Sequence, residues 1–197
     1  MSSRKNRFIW LITLLTAVLY GLYLVYIVIN PIYVLRGVIN GKIAIAWYEL
    51  EMNGEKLDLP TLDTVRILGF PLYTLGFFSI TVGIVGIYVV LRKPSFTQVI
   101  MEMNLATSLG GLIYSALAVQ LGRLVNLEAS HLKIDLAYVN NAGLVNFGRT
   151  HVYKLYTETL IEPGPILAVT TFYLVLTFIS MSTWFKVMEE RSAKAFR

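Results

Sequence analysis

Four apolar blocks, at 8–30, 70–91, 96–121 and 166–185, constrain this chain more than any other feature. A hydrocarbon core of roughly 30 Å takes about 20 helical residues to cross, and lipid offers no partner to an exposed backbone N–H or C=O, so blocks of this length are membrane-crossing helices. The composition agrees, because with 56% hydrophobic and only 15% charged residues the chain has too little polar surface to coat a soluble domain. The expected fold class is an all-α integral membrane protein with four transmembrane helices and a small extracytoplasmic β-containing region formed by two long loops. Glu102, Asn104 and Gln120 interrupt the third block, but 105–119 holds no charge.

Arg4, Lys5 and Arg7 precede the first block as they would in a signal peptide, yet the apolar run continues to Asn30 and Pro31, longer than such a segment needs. It is read as a retained anchor. The basic residues then set the orientation. The leader (1–7), the turn (92–95) and the tail (186–197) carry nine basic residues against two acidic ones, enough to account for the whole net charge of +5. The segments 31–69 and 122–165 are close to balanced, with four basic and five acidic residues in the first and four of each in the second. Basic residues are retained on the cytoplasmic side, so both termini are expected inside and both long segments outside. The same asymmetry explains the positive charge without nucleic acid, and membrane lipid head groups are its natural counterpart. Trp10, and Trp184 with Phe185, sit where amphipathic rings anchor helix ends among head groups.

Small residues recur at steps of three and four in two blocks. Helix two carries Gly76, Ser79, Gly83 and Gly86, and helix three carries Ser108, Gly111, Ser115, Ala118 and Gly122. Such stripes let backbones approach closely. The short turn predicts that these two helices pair with each other as an antiparallel hairpin, with Val89 facing lipid.

The outer segments read as folded. From Lys42 the run KIAIAWYELEM reaches Asn53–Gly54 and continues EKLDLP, which predicts a β-hairpin about a two-residue turn. In the second segment, HLKIDLAYV and LVNFGRTHVYKLY predict another hairpin. Lys42–Trp47 (KIAIAW) and Lys133–Tyr138 (KIDLAY) are similar enough to raise duplication of the two halves, in which case the hairpins would join one sheet. The plan of four helices with two outer strand segments resembles that of claudin-like membrane proteins in topology; the Trp, Gly-Leu-Trp and paired-Cys signature of that family is absent, and no residue role is carried over.

The chain has no cysteine, which removes thiol catalysis, disulfides and thiolate metal sites. No N-glycosylation acceptor occurs, and a bacterial or archaeal plasma membrane is expected. No phosphate-binding loop, dinucleotide fingerprint, zinc-protease helix or serine elbow is present, so no cofactor and no catalytic residue are assigned. The candidate functional polar residues are Gln98, Glu102, His131, Asp135 and His151. Glu102 is an acid inside a span, one turn from Gln98, and such groups are costly in lipid unless paired or wet. Glu128, His131 and Asp135 would share a metal on a helix, whereas the strand expected after Lys133 would turn them apart. The expected function is that of a non-catalytic structural or accessory subunit of a larger membrane complex, docking other integral membrane subunits through small-residue helix faces and an outer sheet. Self-association, a small transporter or channel, and a quinone- or lipid-binding subunit of a membrane enzyme are the alternatives.

Overall fold

The computed structural model describes residues 2–37, 39–52, 54–93, 96–141, 156–159 and 165–195, with side chains described for 6–37, 39–52, 54–93, 96–125, 127, 165–189 and 193. The elements in chain order are α1 (Ser2–Ile29), β1 (Tyr33–Arg36), β2 (Ile39–Ile43), β3 (Tyr48–Met52), β4 (Glu55–Lys56), α2 (Pro60–Arg92), α3 (Thr97–Asn141), β5 (Tyr156–Thr159) and α4 (Pro165–Ala195). Among the described residues four helical segments are long and apolar enough to cross a membrane: Asn6–Ile29, Pro60–Arg92, Thr97–Val125 and Pro165–Glu189. The chain divides into two compact units, one of Met1–Val25, Tyr73–Ala116 and Pro165–Arg197, the other of Tyr26–Leu72 and Leu117–Gly164.

The first unit is a helix bundle whose buried positions repeat at steps of three and four. On α4 the repeat is Ile166, Thr170, Tyr173, Thr177, Ser180 and Trp184; on α3 it is Thr97, Met101, Asn104, Ser108, Gly111 and Ser115. A mean step of 3.5 keeps one seam of a helix turned toward its neighbours. Trp10, Leu14, Val89, Val90, Ile100, Met101, Met181 and Trp184 close one apolar cluster, with the Trp10 and Trp184 rings 5.4 Å apart. The opposite faces carry the exposed apolar side chains, among them Phe8, Ile84, Tyr88 and Ile113. Val89 is therefore not lipid-facing as expected. It lies one turn from Val85, which is 46% exposed, but on the buried side of α2.

The small-residue stripes pack, but not as the sequence predicts. Along α2 the stripe faces α1: a Cβ on Gly76 would meet Val25, Leu24 and the Gly21 carbonyl, and one on Gly83 would meet Val18 and the Leu14 carbonyl. Gly86 touches both Leu14 and Ile100. Along α3, Gly111 lies against the Tyr20 ring of α1 and Ser115 beside Thr170 of α4. A short turn forces α2 and α3 to be neighbours, but in a bundle each helix has two neighbours, and the stripe is turned to the one that brings a matching glycine or an aromatic ring.

The second unit contains a five-stranded antiparallel sheet ordered β4-β3-β2-β1-β5. Strands from both long segments therefore share one sheet. Alternation sorts its faces: Tyr33, Leu35, Ile39, Ile43 and Leu50 are buried, while Arg36, Asn40, Lys42, Glu49 and Glu51 are exposed. Lys42 stands opposite Glu49 and Glu51 opposite Lys56, so unlike charges face each other across strands. Leu62, Val65, Gly69 and Leu72, again at steps of three and four, are the buried positions of the first turns of α2, and Gly69 lies against Ile45.

Three expectations for this unit are corrected. The run from Lys42 to Met52 is not one strand. It breaks at 44–47, where the Ala46 N–H donates to the Val28 carbonyl at 3.1 Å and the Trp47 indole N–H to the Ile29 carbonyl at 2.6 Å. Those carbonyls end α1 and have no partner in their own helix, so the loop satisfies them. Second, EKLDLP supplies only β4, because Pro60 opens α2 ten residues before the expected start; proline suits the first helical turn, and Asp63 lies in that turn, where an acid is favoured. Third, HLKIDLAYV is helical: α3 continues to Asn141. No Gly or Pro occurs between Arg123 and Gly143 to stop it, and Leu132, Leu136 and Val139 keep a helical step as well as the strand-like alternation. Lys133–Tyr138 therefore has no structural likeness to Lys42–Trp47, and the duplication falls with it. Of the expected partner strand at 144–156, Tyr156 opens β5 and the rest lies outside the described residues, as does Asn53 of the first turn; Gly54 has φ 83°, as a tight two-residue hairpin turn requires.

Candidate functional site

Polar side chains gather inside the bundle on α1, α3 and α4. The Asn104 amide joins α3 to α4 twice, accepting from the Tyr173 hydroxyl at 2.6 Å and donating to Thr177 at 3.2 Å, while Thr177 donates to the Tyr173 carbonyl. Farther along, Thr170 donates to the Ile166 carbonyl at 2.7 Å, and its oxygen lies beside the Ser115 hydroxyl and 3.2 Å from that of Tyr20. The Tyr20 and Tyr173 rings link the two groups, 4.9 Å apart and tilted by 32°. Ser79 donates to the Ala17 carbonyl at 2.8 Å, joining α2 to α1. At the tryptophan end, the Trp10 indole N–H reaches Thr183 at 3.0 Å and Ser180 donates to the Met101 sulfur.

These groups are hydroxyls, phenols and one amide, and within the seam they satisfy one another. Among the described residues only the Thr97 hydroxyl is buried without a partner. The described side chains of the seam are uncharged, and their bonds join helices to each other. Inter-helix hydrogen bonds in membranes contribute about 0.6 kcal/mol each, rarely above about 1.7. The signal for it was in the sequence, as the 3-4-3-4 spacing of Thr170, Tyr173, Thr177, Ser180 and Trp184, but α4 reads as uniformly apolar by hydropathy alone.

Of the candidate polar residues singled out from the sequence, Gln98 and Glu102 have described side chains. Gln98 donates to Glu102 at 2.9 Å, one turn along α3, and both are exposed on the outside of the bundle. The helical path of α3 places positions 128, 131 and 135 on one face, where a strand would have separated them; the side chains of His131 and Asp135, and all of His151, lie outside the described residues. Among the described residues no three metal-ligating side chains come together.

A second feature lies in the sheet unit. A cleft of about 620 Å³ opens between β3, the residues after β4 and the start of α2. Tyr48, Leu50 and Leu57 form its apolar part, and Glu49, Glu51, Lys56, Asp58, Asp63 and Arg66 its polar part. Its cause is local. The Leu57 N–H still bonds the Leu50 carbonyl at 2.9 Å, and continuing that register would set Leu59 opposite Tyr48. Instead the chain peels away toward Pro60, and the Leu59 N–H takes the Tyr48 hydroxyl at 3.2 Å. Arg66 and Asp63 pair at 3.3 Å along α2.

No family model, curated protein or solved structure matches the chain.

Proposed function

We propose that the protein is a non-catalytic accessory subunit of a larger membrane assembly, and that it docks its partners through the sheet unit. The observation that carries this reading is the contrast in how polar groups are used. Inside the bundle they are committed to each other (Asn104 with Tyr173 and Thr177, Thr170 with Ser115). On the sheet they are displayed, on a face of alternating charge beside an open cleft. The small helix faces also contribute to the reading by elimination: Gly76, Gly83, Gly86 and Gly111 already meet side chains and backbone of their own bundle, which leaves the sheet as the docking element. The charge asymmetry supports a plasma membrane location with both termini in the cytoplasm.

The test is purification of the full chain in mild detergent from its native membrane. Co-purifying integral membrane chains at fixed stoichiometry are expected, and they should be lost when the sheet is disrupted by Gly41→Val but not in Gln98→Ala or Glu102→Gln. The polar seam favours one alternative, a small transporter. A monomer that carries a solute into vesicles, with transport abolished by Asn104→Leu, would replace the accessory reading.

A further inference from the structure

The cleft beside β3 combines three properties that together select a kind of partner. First, it is an interrupted sheet edge. The β3–β4 ladder pairs Met52 with Glu55 and Glu51 with Lys56, and one further bond joins Leu57 to Leu50; beyond it Tyr48 keeps Ile43 of β2 on one side and, among the described residues, has no strand on the β4 side. An open edge next to side-chain pockets is the geometry in which an extended peptide adds as a strand. Second, its volume of about 620 Å³ falls within the range of sites that hold a few side chains. Third, its charge is lopsided. The lining carries four carboxylates, Glu49, Glu51, Asp58 and Asp63, against Lys56 and Arg66, and Lys42, which stands opposite Glu49 on β2, is not part of it, so the cleft is acidic in a chain whose net charge is +5.

We propose that this cleft receives an extended, lysine- or arginine-bearing segment of a partner subunit, laid along the open edge of β3 with its basic side chains toward Glu49 and Asp58. The inference rests on the accessory-subunit reading and names the partner chemistry for that docking element. Main-chain pairing at Tyr48 supplies direction, Leu50 and Leu57 receive the alternate apolar side chains, and the two carboxylates exclude acidic competitors.

The experiment uses the full chain in nanodiscs of zwitterionic lipid, so that a basic probe has no anionic bilayer to bind. A labelled seven-residue peptide alternating valine and lysine, its glutamate counterpart, and spermidine are titrated by fluorescence anisotropy. The basic peptide should saturate and weaken with salt, and the acidic peptide should not bind. The double variant Glu49→Gln, Asp58→Asn should bind about tenfold more weakly, and Lys56→Gln more tightly, because screened charges near a surface act over about 10 Å. Both sets of side chains are exposed, so helicity and monodispersity should not change. Equal binding of both peptides, undiminished binding by the double variant, or displacement by spermidine at matched charge would each overturn the proposal, the last in favour of a small-amine site. Co-purification separates the two readings. A native partner held equally by wild type and double variant overturns the cleft assignment and leaves the accessory subunit intact, whereas a wild type that binds the basic peptide but brings no partner supports the cleft and removes the accessory reading.

Discussion

The helix bundle and the sheet unit use glycine for opposite purposes. In the bundle, glycine removes a side chain so that two helices can touch: a Cβ on Gly76 would lie 3.1 Å from the Gly21 carbonyl, and one on Gly111 would lie 2.6 Å from the Tyr20 hydroxyl. In the sheet, glycine serves the backbone itself, with Gly54 at φ 83° in the β3–β4 turn and Gly41 leaving room for the Glu49 carbonyl of the next strand. Lipid accounts for the first use. Helices in hydrocarbon gain little from burying apolar surface against one another, so close backbone approach and hydrogen bonds must supply the attraction. The sheet gains the usual burial of Ile39, Ile43 and Leu50 and keeps its charges in water.

If that contrast is right, the largest effect in the molecule should come from forcing α1 and α2 apart. Gly83→Leu would drive a side chain into Val18 and the Leu14 carbonyl, and overpacking of a closed interface costs about 1–3 kcal/mol even where it can relax. With backbone as the obstacle, we expect loss of most folded protein after detergent extraction. Val85→Leu, on the exposed face of the same helix, is the control. Equal recovery of the two would show that the stripe is not the packing seam.

Gly41→Val should come next and act on the other unit. Its Cβ would run into the Glu49 carbonyl, so β2 and β3 cannot keep their register. Limited proteolysis should then cut within 31–59, while the helical signal and detergent-solubilised yield stay near wild type. Simultaneous loss of helicity would mean that the sheet and the bundle are not separable in stability.

How far the sequence revealed each unit follows the same division. The four long apolar helices were legible because a membrane crossing demands such runs, and the small residues because a step of three and four marks one face. The partner of that face was not, since spacing fixes a direction on one helix but names no neighbour; Gly83 meets Leu14 of α1 and not α3. The sheet was legible at Tyr48–Met52 and at the turn that follows, but not at 44–47. Residues 44–47 look like strand and leave it because their donors cap α1, a long-range bond that no local pattern carries. Residues 132–139 satisfied both periods, and the absence of a breaker before Gly143 favoured helix. The polar seam was hidden by averaging, since Thr170, Thr177 and Ser180 are diluted by leucine and phenylalanine on the other side of α4.

A smaller effect is expected within that seam. Asn104→Leu removes the amide that bridges Tyr173 and Thr177 and leaves the Tyr173 hydroxyl buried without its acceptor. Inter-helix hydrogen bonds in membranes are modest, so the loss should be about 1–2 kcal/mol, plus the penalty for the stranded hydroxyl. Adding Tyr173→Phe should recover part of it. Unfolding in mixed detergent would measure the pair, and strict additivity of the two changes would show that they do not interact.

The finest test sets two adjacent glycines of α3 against each other. Gly111 faces inward, where a methyl group would collide with the Tyr20 ring, whereas a methyl at Gly110 would meet nothing closer than Leu75 at 3.9 Å. Gly111→Ala must therefore displace Tyr20, and with it the contacts to Ser115, Thr170 and Tyr173. Gly110→Ala encounters no obstacle and gains helix propensity, worth up to about 1 kcal/mol in an exposed helix interior. The two variants are identical in composition and one residue apart, so any generic effect of alanine on the membrane insertion of α3 cancels between them. We expect Gly110→Ala to be neutral or slightly stabilising and Gly111→Ala destabilising, read as a separation of their unfolding midpoints in mixed detergent. Coincident midpoints, or the reverse order, would mean that α3 is turned differently about its axis, and the assignment of Asn104 and Ser115 to the interior would then have to be given up, because both follow from the same rotation.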